Sequence, residues 1–134
     1  MEGNVHAWGN LGVMKEAALA AKKVILTCEE FVDHEVILAD PNRTLIPGFL
    51  VSSVIHEPFG SHPSPTQGYA RRDDDFYFEY HGETRSREGF ERWLEKWVSG
   101  VKEHKEYLAG LGRQRLDRLK PGIDLLSPTV NFSM

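Results

Sequence analysis

The sequence predicts an α/β protein with a partial, open, mostly parallel sheet flanked by helices, and three observations lead to this prediction. Residues 24–28 are a continuous apolar run rich in β-branched side chains, which is typical of a strand covered on both faces. A helical pattern precedes this run and a second apolar stretch follows at residues 45–55, so helices alternate with buried strands. Only three or four strands can be found, fewer than a typical sheet contains, so we expect a partner chain or a missing half to complete the sheet.

In the first half of the sequence, helix-capping residues and a proline indicate where the predicted helices and strands begin and end. Asn10 or a neighbouring residue is placed to cap a first helix that runs to about residue 23. After the predicted strand, Asp33 is placed to cap one or two further helical turns. Residues 45–55 are predicted as a second strand region, which Pro47 interrupts.

Aromatic residues decide the prediction for the segment that follows. Phe76, Phe78 and Tyr80 alternate with other side chains, as they would along one face of a strand. Residues 73–80 are therefore predicted as a short strand or an extended arm.

A helix beginning after Ser86 is the clearest helix in the sequence. Its apolar residues recur at helical spacing: Phe90, Trp93, Leu94, Trp97, Val98 and Val101. Two tryptophans on one stripe need a large partner surface, so we expect the stripe to anchor this helix to the sheet or to another subunit. Two short helices are predicted around residues 106–111 and 114–120.

Two charged clusters are interpreted as solvated surface. Residues 71–75 carry two arginines followed by three aspartates, which is typical of an exposed turn. Residues 113–120 are rich in arginine but include an aspartate, which fits the solvated side of a short helix better than a phosphate-binding patch.

Length and composition bound the protein class. The 134 residues suit a single domain over residues 1–134, with an irregular tail at residues 121–134. A 40% hydrophobic and 27% charged composition excludes intrinsic disorder, and no apolar run approaches membrane-spanning length. The net charge of −4 gives no reason to expect nucleic acid as a partner.

The first residues and the single cysteine indicate a reducing compartment. Residues 1–6 lack the basic and then apolar order of a signal peptide, so a cytoplasmic location is expected. Cys28 lies within an apolar run and has no second cysteine to pair with, which favours an inert core thiol.

Residues 56–68 are the candidate site, because they crowd reactive side chains into a loop. Three prolines and two glycines exclude a helix interior or a central strand. His56, Glu57 and His62 suggest a metal at first, but Pro58 prevents the helical spacing that would bring them together, so no metal is predicted. The pattern gives only a weak indication that Ser61 or Ser64 pairs with His62 for hydrolysis, because the nucleophile elbow is missing and adjacent residues cannot easily form the needed hydrogen bond.

The sequence resembles the A (alpha) subunit of glutaconate CoA-transferase and related family I CoA-transferases. The likeness covers about residues 3–119. Its motifs, in order, are Asp40-Pro41-Asn42-Arg43-Thr44, Ile46-Pro47, Pro58-Phe59-Gly60-Ser61-His62-Pro63-Ser64, Gln67-Gly68-Tyr69, Asp75-Phe76-Tyr77 and Trp93-x-x-x-Trp97-Val98.

The resemblance implies a subunit or fragment of an enzyme that moves coenzyme A between an acyl-CoA and a carboxylic acid through a glutamyl-CoA thioester. In that family the attacking glutamate belongs to the B subunit, and a glycine-rich active-site segment lies in the amino-terminal part of the alpha subunit. The resemblance therefore implies a carboxy-terminal portion that is inactive alone and is either the product of a split gene or a truncated sequence. Its expected partner is a B subunit, within an oligomer, and for a split gene also a separate amino-terminal half of the alpha subunit.

The loop is then expected to form a pocket wall and to supply hydrogen-bond donors to an oxyanion. The predicted substrate-binding residues are Ser61, His62, Ser64, Gln67 and Tyr69. No catalytic residue is predicted in this chain, and no permanently bound cofactor, since coenzyme A is a substrate.

Two alternatives remain open at this point. The first is a subunit of the same superfamily that hydrolyses a CoA thioester or opens a ring in a CoA-linked substrate. The second is a non-catalytic scaffold or interaction module, which would self-associate through exposed strand edges and bind no acyl-CoA.

Overall fold

The computed structural model describes residues 3–122, which form two compact units over residues 3–60 and 61–122. Of the predicted irregular tail, residues 121 and 122 lie in neither helix nor strand, and residues 123–134 lie outside the described residues. The assignment of residues 1–134 to a single domain stays a prediction.

The first unit contains the strands of the described chain. Its elements are β1 (Val5–His6), α1 (Met14–Ala20), β2 (Val24–Cys28), α2 (His34–Ala39), β3 (Thr44–Ile46) and β4 (Val51–His56). β2 and β4 pair in parallel, and β1 pairs with β3 in antiparallel orientation. The α/β prediction with a partial sheet is therefore confirmed, and the longer strand pair is parallel.

Most boundaries in the first unit match the sequence prediction. β2 lies at the predicted residues, α2 begins after Asp33, and a 3₁₀ turn after Pro47 separates β3 from β4. The first helix is shorter than predicted. Gly12, which lies within the predicted helix, has a φ of 52°, a left-handed conformation that a right-handed helix cannot contain.

One face of the parallel pair is open in the described chain, so residues 3–122 alone do not supply the predicted cover on both faces. Ile25 lies beside Ser53, and Thr27 lies beside Ile55. Ile25 is 69% exposed and Ile55 is 44% exposed. Parallel strands are normally covered on both faces, so this open face is available for further protein.

The second unit is helical within the described residues. Its elements are α3 (Asp74–Glu83), α4 (Arg87–Leu94), α5 (His104–Leu111) and α6 (Arg113–Leu119). α4 begins after Ser86, as predicted, because the Ser86 hydroxyl accepts a hydrogen bond from the Gly89 amide at 3.1 Å. A wider π-helical turn, Glu95–Ser99, continues this helix.

α3 replaces the predicted strand at residues 73–80, and that prediction is wrong. Asp73 caps the helix, since its Oδ1 accepts a hydrogen bond from the Phe76 amide at 3.0 Å. Phe76 and Tyr80, four residues apart, both contact the Trp93 ring, whereas Phe78 is 74% exposed. The alternating aromatics therefore do not share one face.

The core of the second unit is an aromatic cluster centred on Phe76. The ring centroids of Trp93 and Trp97 lie 5.0 and 5.2 Å from that of Phe76, in edge-to-face geometry. Tyr107 of α5 packs against Trp97 at 5.7 Å. The two tryptophans thus anchor α4 and its π-helical turn to α3 and α5, so the prediction that they pack on the sheet is wrong. Packing on another subunit stays a prediction for the exposed stripe residues Phe90 and Val98.

Candidate functional site

The loop of residues 56–68 is divided between the two units. Residues 56–60 belong to the first unit, where Glu29 accepts a hydrogen bond from the Phe59 amide at 2.7 Å. The Glu57 amide donates to the Cys28 carbonyl at 2.9 Å, which continues the β2–β4 pairing beyond β4. This part of the loop is fixed to the end of β2.

Residues 61–70 form a folded loop within the second unit, which we call the serine loop. Backbone hydrogen bonds in both directions between Thr66 and Ala70, at 3.0 and 2.8 Å, close its end. The Asp73 amide donates to the Pro63 carbonyl at 3.0 Å and the Arg71 amide to the Leu119 carbonyl at 2.7 Å. These bonds fix the serine loop to α3 and α6.

Hydroxyl groups gather on the exposed side of the serine loop. The Ser61 hydroxyl donates to the Ser64 carbonyl at 3.1 Å and lies 2.5 Å from Thr66 Oγ1. Ser64 Oγ lies 3.2 Å from the Tyr77 hydroxyl. Both hydrogen bonds are exposed, so the Ser61 and Ser64 hydroxyls are accessible to a ligand.

The other predicted site residues take three different positions. Gln67 is exposed and Tyr69 is half-buried, with its backbone amide bonded to the Thr66 carbonyl at 3.0 Å. The His62 side chain is 2% exposed and lies against the helices. The structure therefore brings Ser61 and Ser64 together at the surface and separates His62 from them.

A polar network under the serine loop was not predicted from the sequence. His62 Nδ1 lies 2.6 Å from the Tyr107 hydroxyl, and its Nε2 lies 3.0 Å from Asp73 Oδ2. Arg115 donates to both Asp73 oxygens and, through Nη1, to both Glu79 oxygens at 3.0 and 2.9 Å. We call these residues the loop anchor.

The loop anchor contradicts the solvated interpretation at one residue of each charged cluster, Asp73 and Arg115. Asp73 is 3% exposed and the Arg115 side chain is 14% exposed. One signal was present in the sequence, because Arg115 lies one helical turn before Leu119, which is buried. Arg113 and Lys120 do lie in solvent, as predicted, with side chains 95% and 61% exposed.

The loop anchor fixes the charges of its members. Burial alone would raise the pKa of Asp73, but hydrogen bonds from Arg115, His62 and the Phe76 amide outweigh it and lower the pKa to about 2. Burial lowers the pKa of His62, against the opposing effect of Asp73. Burial also raises the pKa of Tyr107 to about 12. At neutral pH, Asp73 is therefore ionised and the other two are neutral.

The lowered pKa of Asp73 predicts an acid-dependent loss of stability. The pKa falls from 3.8 to about 2 on folding, so the stabilisation is complete above about pH 5 and is lost as the pH falls towards 2. This shift corresponds to about 2 kcal/mol. We expect the difference in free energy of unfolding between the wild-type chain and Asp73→Asn to shrink by that amount between pH 6 and pH 2, measured by urea denaturation. A constant difference would contradict the assigned pKa.

Other chemical sites are not supported by the described residues. Within residues 3–122, no group of three or more His, Cys, Asp or Glu side chains is placed to hold a metal ion. An open cavity of about 210 Å³ beside the loop anchor is lined by both signs of charge, including Arg72, Asp74, Asp75 and Arg118, which does not favour a phosphate group. No helix in the described part of the chain is long and apolar enough to cross a membrane.

Comparison with known proteins shows what this chain is related to. It is 45% identical over 108 residues to the A chain of 3-oxoadipate CoA-transferase from Pseudomonas knackmussii, and the match covers 81% of this chain. It is 39% identical over 124 residues to the corresponding component of glutaconate CoA-transferase from Acidaminococcus fermentans, and that match covers 91% of this chain. This chain is a relative of CoA-transferase alpha subunits. The resemblance inferred from the sequence motifs is thereby confirmed.

Solved structures give the same relationship. The crystal structure of glutaconate coenzyme A-transferase from Acidaminococcus fermentans matches 91% of this chain with a TM-score of 0.84 and 38% identity. The present chain spans only 38–39% of the length of the two named relatives. No family model matches the chain.

Proposed function

We propose that this chain is the carboxy-terminal portion of a CoA-transferase alpha subunit, which acts with a B subunit that supplies the catalytic glutamate. The complex would move coenzyme A from an acyl-CoA to a carboxylic acid. Coenzyme A is then a substrate, and the chain alone has no turnover.

The observation that carries this proposal is the agreement of sequence and fold along most of the chain. The match to glutaconate coenzyme A-transferase covers 91% of the chain at 38% identity, so it extends over both units. A second relative, named for 3-oxoadipate, matches at 45% identity. Two relatives named for different acids support a shared reaction class and leave the acyl substrate open.

The open face of the first unit supports a further segment as partner. Ile25 and Ile55 lie exposed on one face of the parallel pair, and Leu19 of α1 is 58% exposed. The named relatives are more than twice as long as the matched region. We propose that further alpha-subunit sequence, outside residues 3–122, covers this face and extends the sheet.

The serine loop supports a role in substrate binding. A pocket that holds an acyl-CoA needs a few polar groups in its wall that fix the bound substrate by hydrogen bonds. The Ser64 hydroxyl and the Gln67 amide can donate such a hydrogen bond, and the Ser61 oxygen can accept one, since its own proton is bonded to the Ser64 carbonyl. In our proposal these residues and Tyr69 form the wall of the acyl-CoA pocket, and none of them is the nucleophile.

Reconstitution by parts tests this proposal. The chain is co-expressed with an amino-terminal alpha-subunit segment and a CoA-transferase B subunit, and transfer is measured from a panel of acyl-CoA donors to acetate and to dicarboxylic acids. We expect acceptor acyl-CoA to form only when all three parts are present. Omission of this chain should abolish transfer, because the sheet and the pocket wall are then incomplete.

Two outcomes would overturn the proposal. Turnover that yields free coenzyme A at the same rate without an acceptor would favour the hydrolase alternative. A chain that self-associates, binds no acyl-CoA and forms no complex with the other parts would favour the scaffold alternative.

A further inference from the structure

His62 is the buried point at which the serine loop is fixed to the helices of its unit. Its side chain is 2% exposed, whereas the hydrogen bonds of the Ser61 and Ser64 hydroxyls lie in exposed positions. We propose that His62 is a positioning residue that holds the hydroxyls of Ser61 and Ser64 in one arrangement for the acyl-CoA substrate. This inference rests on the function proposed above.

Both ring nitrogens of His62 are engaged, and their partners fix the position of its proton. A carboxylate only accepts hydrogen bonds, so Asp73 Oδ2, at 3.0 Å from Nε2, requires the proton on Nε2. The neutral ring then accepts a hydrogen bond at Nδ1 from the Tyr107 hydroxyl at 2.6 Å. The Phe76 ring packs edge-on against the imidazole at 4.9 Å. His62 therefore has one orientation and one tautomer.

A direct contact between His62 and a substrate would need the ring to leave both partners. Asp73 would then lose one of its donors while Arg115 stayed bound to it, and the Tyr107 hydroxyl would lose its acceptor. Buried groups without partners are costly, which opposes such a movement. The geometry thus favours an indirect role for His62.

The serine hydroxyls depend on this anchor because they lie on the same short loop. Ser61 precedes His62 and bonds to the Ser64 carbonyl, so both serines move if the His62 backbone shifts. The Ser64 hydroxyl also has to stay near Tyr77 on α3, at 3.2 Å. A shift of 1 Å in a substrate-positioning group can cost about 100-fold in activity.

Steady-state kinetics of the reconstituted complex test the proposal. We expect His62→Leu to raise the KM for acyl-CoA at least about tenfold, with kcat per active site nearly unchanged, since binding contacts are displaced. A merely structural role would lower the number of active sites and leave KM unchanged. His62→Gln keeps a donor for Asp73 and should restore KM to within about threefold of wild type. His81→Leu, at an exposed histidine of the same unit, is the matched control.

A double-mutant cycle shows whether His62 acts through the serines. In a Ser61→Ala/Ser64→Ala background, His62→Leu should raise KM by less than about twofold further, because the groups it positions are already absent. If His62→Leu does not fold, Tyr107→Phe removes only the hydroxyl donor and should raise KM about threefold.

The outcomes separate this inference from the proposed function. A wild-type complex that transfers coenzyme A, with KM unchanged in the His62 and Tyr107 variants, overturns the inference alone. The inference is also overturned if the KM effects of His62→Leu and of the serine substitutions multiply in the combined variant. His62 and the serines would then act independently of each other. A complete wild-type complex without transfer overturns the proposed function, and the inference with it.

Discussion

Phe76→Ala is expected to destabilise the chain by about 3–5 kcal/mol, the range found for large aromatic truncations in a core. Phe76 contacts the rings of His62, Trp93 and Trp97, and the Arg115 guanidinium lies 5.5 Å from its ring centroid. Its removal leaves a cavity that these four side chains cannot all close. The free energy of unfolding of the 134-residue chain, from urea denaturation followed by tryptophan fluorescence, measures the effect.

Phe78→Ala is the matched control, because Phe78 lies two residues further along the same helix and is 74% exposed. Its loss should change stability by no more than about 0.5 kcal/mol. Equal effects at both positions would support the strand-like alternation over the α3 helix and would contradict the structure.

Asp73→Asn is expected to be the most damaging polar substitution, at about 3 kcal/mol. It removes the charge that pairs with Arg115 and places an amide where His62 and Arg115 both need an acceptor. It also weakens the cap of α3, since the remaining amide oxygen has to satisfy the Phe76 amide as well. The same denaturation measurement at pH 7 gives the value.

Asp74→Asn provides the control for Asp73→Asn. The Asp74 and Arg72 side chains form an ion pair while 66% and 58% exposed, so its loss should cost less than about 1 kcal/mol. The double variant Asp73→Asn/Arg115→Met should be less destabilising than the two single effects added together. Full additivity would mean that the two residues do not act as one network.

The first unit was largely predictable from the sequence, because its signals are local. A β-branched apolar run defined β2, Asp33 marked the start of α2, and Pro47 marked the break before β4. The exposed face of β2 was not predictable, since an apolar run carries no information on whether the covering protein is on the same chain.

The error at α3 has a physical cause. The alternation of Phe76, Phe78 and Tyr80 satisfies the period of a strand, and spacing of four between Phe76 and Tyr80 satisfies a helix equally well. The capping hydrogen bond from the Phe76 amide to Asp73 and the contacts with α4 decide in favour of the helix. Tertiary contacts of this kind cannot be read from a single segment.

The sequence predicted the position of the candidate site. It did not predict the buried polar network beneath the serine loop. The serine loop and its hydroxyls follow from proline, glycine and serine content, which is a local signal. The loop anchor joins His62 to Tyr107 and, through Asp73, to Arg115, which lie 45 and 53 positions further along the chain. Only the fold brings such residues together, so Arg115 was interpreted as one of several surface arginines.

Product analysis of the reconstituted complex is the most direct test of the proposed function. With an acyl-CoA donor and a carboxylic acid acceptor, our account predicts one acceptor acyl-CoA formed for each donor consumed, with no net release of free coenzyme A. Consumption should stop when the acceptor is left out. Continued consumption without acceptor, with free coenzyme A accumulating, would contradict the account.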